Sequence, residues 1–100
     1  MEKAICAKFE SAFQVLGKRW TGLIVNQLMD GVKRFNELEN EIKISGKVLS
    51  FRLKELEQLG IVSRVVYPET PVRIEYSLTE KGYALKPIMA EISKWSDYWV

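Results

Sequence analysis

The sequence predicts a mainly α-helical fold with one small β-hairpin, an α+β arrangement, and three observations carry that reading. Apolar residues recur at helical spacing through the first half of the chain, the rhythm turns to alternation between Ile61 and Leu78, and helical spacing returns from Leu85. With 100 residues, 47% of them apolar, the chain can bury one compact core but has little room for a second. Residues 1–100 are therefore read as a single domain.

Each element has its own signals. Phe9, Ala12, Phe13 and Leu16 share one helical face, and Gly17 is placed to end that helix. After the basic pair Lys18 and Arg19, a second stripe of Trp20, Leu23, Ile24 and Leu28 runs to the turn at Asp30 and Gly31. Phe35, Leu38 and Ile42 make a shorter stripe, with Asn36 or a neighbour as its cap. Ser45, a good N-cap residue, opens a fourth helix in which Leu49, Leu53 and Leu56 face inward, and Gly60 closes it. Two short helices joined by about three residues make a helix-turn-helix candidate. Ile61 to Val66 is rich in β-branched residues. Val72, Ile74, Tyr76 and Leu78 then alternate with Arg73, Glu75 and Ser77, and the intervening YPETP supplies the turn. Thr79 can cap a last helix carrying Leu85, Ile88, Met89, Ile92, Trp95 and Trp99, which Pro87 is expected to kink or delay. Four helices, a hairpin and a helix, in that order, form a winged helix-turn-helix.

Composition excludes several classes of function. No stretch approaches the roughly 20 apolar residues that cross a bilayer, and the charged start MEKAICAKFESAF lacks the apolar centre of a signal peptide. A cytoplasmic protein without a membrane partner is expected. One cysteine cannot form an intrachain disulfide, and no histidine is present, so neither a metal site nor the commonest general base is available. No cofactor is expected. Glu10, Glu37, Glu55 and Glu75 fall at solvent-facing positions and read as solubilising charges, not as a catalytic constellation.

Positive charge gathers where a DNA-binding module needs it. Residues 31–54 hold six basic side chains against three acidic ones, a balance of +3 in a chain of net charge +2. With the leucines inward, Lys47, Ser50, Phe51 and Lys54 point outward at the 100° step of a helix. Lys47 can reach a phosphate or a guanine edge, Ser50 can hydrogen-bond a base or phosphate, and Phe51 can pack on thymine methyls. Ser45 and Arg52 on the same helix, with Arg64 and Arg73 on the two strands, complete a candidate surface for double-stranded DNA. The plain alternatives are a solvated helix face with one stray aromatic residue, or a protein-interaction module; the latter would lack the basic reading helix.

The blocks LGKRWTGLIVNQLMDGVKRFNELE, KVLSFRLKELEQLGIVSR and YPETPVRIEYSLTEKG resemble, in order and spacing, the HxlR-type bacterial transcriptional regulators, winged-helix proteins related to the MarR regulators. That resemblance implies a homodimer on a palindromic operator, with the Ser45 to Leu59 helix in the major groove and the Val62 to Leu78 hairpin as wing. Aromatic content argues for a dimer independently. Phe9 and Phe13 near one terminus and Ile88, Ile92, Trp95, Tyr98 and Trp99 near the other are more apolar surface than a small domain readily buries. Helices from both termini would then form the interface, unless these residues close the core of the single chain.

Cys6 lies just ahead of the first helix, near Lys3 and Lys8, where positive charge and a helix N-terminus favour the reactive thiolate. The segment CAKFESAFQVLGKRW resembles the region around the sensor cysteine in the subgroup that responds to quinones, other electrophiles and oxidants. The resemblance implies a repressor released when Cys6 is modified. With no second cysteine, any disulfide must form between subunits or with a small thiol, and direct adduct formation is the favoured chemistry. A regulator of the same family without thiol sensing, in which Cys6 is a small buried apolar residue, remains the alternative.

Overall fold

The computed structural model describes residues 6–100, which form α1 (Ala7–Leu16), α2 (Thr21–Leu28), α3 (Phe35–Ile42), α4 (Gly46–Gln58), β1 (Val62–Tyr67), β2 (Arg73–Leu78), α5 (Glu80–Tyr83) and α6 (Lys86–Trp99). The two strands pair antiparallel, in a register that sets Val62 against Leu78 and Tyr67 against Arg73. A further bridge between Lys33 and Tyr76, with backbone bonds of 2.9 and 2.8 Å, fastens the α2–α3 link to the wing.

The core lies among α2, α3, α4 and the base of the hairpin. Ile24, Val25, Leu28, Leu38, Leu49, Leu53 and Leu56 are its fully buried large side chains, with Val62, Tyr76 and Leu78 closing it from the wing. At about 1.5–3 kcal/mol per buried aliphatic side chain, these residues dominate the stabilisation. On α2 the buried set is Thr21, Ile24, Val25 and Leu28, a strict i, i+3, i+4, i+7 face. Leu23, expected in that stripe, is instead 54% exposed.

The helix ends carry the local logic of the fold. The cap of α3 is Arg34, not Asn36: its backbone N–H donates to the Glu37 carboxylate at 2.9 Å. Ser45 caps α4, its hydroxyl oxygen accepting from the Val48 N–H at 3.3 Å. At the other end of α4, Ile61 N–H donates to Leu56 and Gly60 N–H to Glu57, a Schellman closure. That closure puts Gly60 at φ +73°, where a side chain would be strained.

The last helix departs from expectation, being two helices. Thr79 caps only the short α5, and Pro87 sits in the first turn of α6, where a missing N–H leaves no intrahelical bond unmade. Proline therefore begins a helix here and does not kink one. The molecule is elongated, with extents of 63, 29 and 24 Å and a radius of gyration of 15.4 Å, against about 13 Å for a compact chain of this length. Among the described residues none of α1 is buried, and on α6 only Met89 is.

Candidate nucleic-acid interface

The α3–α4 pair is joined by residues 43–45, with Lys43 in the left-handed conformation at φ 61°, so α4 leaves the turn at a fixed angle and runs across the core. Burying Leu49, Leu53 and Leu56 turns the opposite face of α4 outward. Lys47, Phe51 and Lys54 are exposed there and Ser50 is half-buried. Phe51 keeps 61% of its surface in solvent, a cost in water that its own subunit does not relieve. Ser45 is exposed too. Its oxygen is engaged in the cap, which leaves the hydroxyl hydrogen free to donate to an anion.

The wing joins this face through one arginine. Ser50, Lys54, Glu57 and Arg64 line a groove of about 320 Å³ between α4 and the hairpin. Arg64 stands opposite Tyr76 and so on the hairpin face that looks toward α4. Arg73 lies an odd number of positions from Tyr76 and so on the other face, where the register separates the two arginines that sequence reading grouped together. Its guanidinium sits over the Tyr67 ring, 4.1 Å from the centroid, and pairs with Glu69 at 3.1 Å and Glu75 at 3.5 Å. Arg52 is also drawn away from the outward set. It pairs with Glu55 at 2.7 Å and donates from Nε to the Arg19 carbonyl oxygen at 3.1 Å.

The carboxylates are more than solubilising charges. Glu37 caps α3, Glu75 pairs with Arg73, and Glu55 accepts from both Lys18 and Arg52. Hydrogen bonds first from Lys18 and then from Arg52 hold the Glu55 carboxyl below its usual range. Glu41 is held low by Lys33 and then Gln27, and the same contact raises Lys33. The i, i+3 spacing of Arg52 and Glu55 was legible beforehand; the approach of Lys18, 37 residues away, was not.

A second exposed surface is apolar. Phe9 and Phe13 on α1, with ring centroids 5.0 Å apart, are 65% and 60% exposed. Ile88, Ile92, Trp95 and Trp99 on α6 are 45%, 52%, 61% and 69% exposed, so they do not close the core of the single chain. Cys6 is exposed as the N-cap residue of α1, with Lys8 in the first turn; Lys3 lies outside the described residues. Among the described residues, no cluster of metal-ligating side chains occurs and no helix is long and apolar enough to cross a membrane.

A solvent-facing helix of this kind, preceded by a tight helical turn and flanked by a two-stranded wing, defines the winged helix-turn-helix class of DNA-binding proteins. The HxlR-like helix-turn-helix model matches residues 15–100, and the chain belongs to that family of transcriptional regulators. It is 57% identical to YvaP, an HTH-type transcriptional regulator of Bacillus subtilis strain 168, over 99% of this chain and 93% of YvaP. It is 56% identical to the regulator YodB of the same organism, over 97% of this chain and 88% of YodB. Quinone-bound YodB superposes with a TM-score of 0.82 at 51% identity, covering 95% of this chain and 100% of that one. The redox regulator HypR in its oxidised form superposes with a TM-score of 0.86 at 39% identity, covering 92% and 96%.

Proposed function

We propose that the chain is a repressor that binds a palindromic operator as a homodimer and lets go when Cys6 is modified by a quinone, another electrophile or an oxidant. The observation that carries the DNA half is the outward face of α4, where exposed Lys47, Phe51 and Lys54 stand opposite the buried leucines and Lys54, with Ser50, shares a groove with Arg64. In this reading Phe51 and Ser50 touch base edges, while Lys47, Lys54 and Arg64 neutralise phosphates, each adding about 0.9 to the salt slope of binding. Arg52 and Arg73, engaged by carboxylates of their own subunit, are left out of the contact set, and Ser45 contributes one phosphate contact.

The dimer half is supported by the bare aromatic faces of α1 and α6. A two-fold axis through them would set two reading helices about 34 Å apart, one turn of DNA. Sensing is supported by the exposure of Cys6 and by the likeness to YodB, a protein solved with quinone bound. Addition of the Cys6 thiolate to a quinone ring forms one sulfur–carbon bond, and the ring takes up the electron pair and the proton to become a hydroquinone thioether. That bulk is added beside α1 and its partner-facing aromatics, in both subunits alike.

The test is selection of bound duplexes from a random pool, followed by binding of the selected operator before and after quinone treatment, for wild type and Cys6→Ser. A palindromic consensus, release of the wild type and retention of the variant are expected. Equal release of Cys6→Ser would assign sensing elsewhere, and a consensus without two-fold symmetry would remove the homodimer.

A further inference from the structure

The turn between α1 and α2 is built under constraint. Trp20 occupies left-handed backbone at φ 78°, ψ −24°, a conformation that a bulky L-residue holds only where its surroundings impose it. The surroundings come from two directions. Arg19 lays its guanidinium over the Trp20 ring, 4.6 Å from the centroid, and its carbonyl oxygen accepts from Arg52 Nε at 3.1 Å. Next to it, Lys18 Nζ lies 2.6 Å from one oxygen of Glu55, whose other oxygen accepts from Arg52 Nη1 at 2.7 Å. One carboxylate on the reading helix thus gathers both cations and, through Arg52, the backbone of the strained turn.

This clamp sits where apolar packing supplies little orientation. Along α1 only Val15 and Leu16 pack on the core, and a groove of about 610 Å³, lined by Ser11, Gln14, Val15, Lys18, Glu55 and Gln58, separates the end of α1 from α4. Hydrophobic contact is non-directional, whereas charge-assisted hydrogen bonds fix distance and angle. Glu55 is also held ionised by its two donors, so the clamp is made throughout the neutral range.

We propose that Glu55, with Lys18 and Arg52, is a positioning group for DNA recognition: it sets the orientation of α4 against the α1–α2 turn, so that displacement of the N-terminal helix reaches the reading face through this contact. The proposal rests on α4 being the DNA-reading helix. It treats Arg52 as part of the scaffold behind that helix and not as a phosphate ligand, and it gives a physical route by which an event near Cys6 can alter groove entry.

The experiment compares wild type, Glu55→Gln, Lys18→Met, the double variant and Lys18→Arg, by anisotropy on a selected operator duplex and by amide hydrogen exchange of the free protein. Glu55→Gln removes a negative charge from a DNA-binding helix, so electrostatics alone would tighten binding; the clamp requires it to weaken by roughly fivefold or more. The double variant should bind no more weakly than the weaker single variant, and Lys18→Arg should keep wild-type affinity. Exchange should quicken at residues 21–24 in Glu55→Gln and stay unchanged in β1 and β2. Tighter or unaltered operator binding by Glu55→Gln, losses that multiply in the double variant, or unaltered exchange at residues 21–24 would each overturn the proposal. A wild type that binds no duplex would defeat the DNA reading alone, because the exchange measurement is made without DNA and still decides whether the clamp holds the turn.

Discussion

Phe51→Ala separates DNA recognition from folding with one substitution. Phe51 is 61% exposed and touches the guanidinium of Arg52, 5.4 Å from the ring centroid. An exposed cation–π contact of that kind is worth about 0.5–1 kcal/mol, and with the two-fifths of the ring already buried it bounds the loss of stability at about 1–2 kcal/mol. Full burial of a phenylalanine side chain is worth about 1.5–3 kcal/mol, and roughly three-fifths of that is still to be gained when the exposed part packs against DNA. The expected loss in operator binding is therefore about 1–2 kcal/mol, or roughly fivefold to thirtyfold in Kd. If Phe51 packs on thymine methyls at particular positions, as proposed, binding to random duplex should change much less. The assay is fluorescence anisotropy on selected and random duplexes at fixed salt, paired with a urea midpoint. Equal losses on both duplexes, with an unchanged midpoint, would place Phe51 against the backbone; an operator affinity equal to wild type would remove it from the interface.

For the proposed homodimer, Trp95→Glu should yield a folded monomer and weaken operator binding, since Trp95 is 61% exposed in the single chain and two linked half-sites bind far better than one; sedimentation that shows a dimer for this variant would place the interface elsewhere. Gly82→Ala should destabilise by about 1–3 kcal/mol in denaturant, because a Cβ there collides with the Ile61 carbonyl oxygen and presses on Leu78 at 3.0 Å; an unchanged midpoint would show that the α5 turn yields freely. Acid should act through Glu41 and Glu55. Their carboxyls are depressed in the folded state, so their contribution is present above the usual value near 4.3 and is lost as pH falls through the lowered values. A Glu41→Gln, Glu55→Gln double variant should accordingly lose less stability than wild type between about pH 5 and pH 3, and parallel urea midpoints across that range would contradict the ion-pair account. Lys33, raised by Glu41, acts at the other extreme: its contribution is complete below 10.5 and is lost only as pH rises beyond it.

The element order as far as the hairpin, the leucine face of α4, its Ser45 cap and its Gly60 end were all readable from the chain, because period, caps and breakers are local properties. So was the family, through three blocks at characteristic spacing. Local rules failed where a short helix and a long one shared one pattern. Helical spacing from Leu85 onward could not say that Thr79 caps a separate α5 or that Pro87 lies in the first turn of α6, since a capping residue fixes where a helix begins and not where it ends. Helical spacing likewise placed Leu23 in the inward stripe of α2, where packing buries Thr21 and Val25 and leaves Leu23 exposed.

What only the tertiary structure decided is the assignment of charge. A basic residue on a basic helix is a DNA-contact candidate by composition, yet Arg52 is turned to Glu55 and the Arg19 carbonyl, and the hairpin register sets Arg73 opposite Tyr67, on the face away from Arg64. The physical reason is range. Apolar periodicity records which side of an element meets the core, and that side is the same whatever lies beyond it. An ion pair records which distant segment arrives within about 4 Å, and the stretch between Lys18 and Glu55, 37 positions apart, holds no local trace of that meeting.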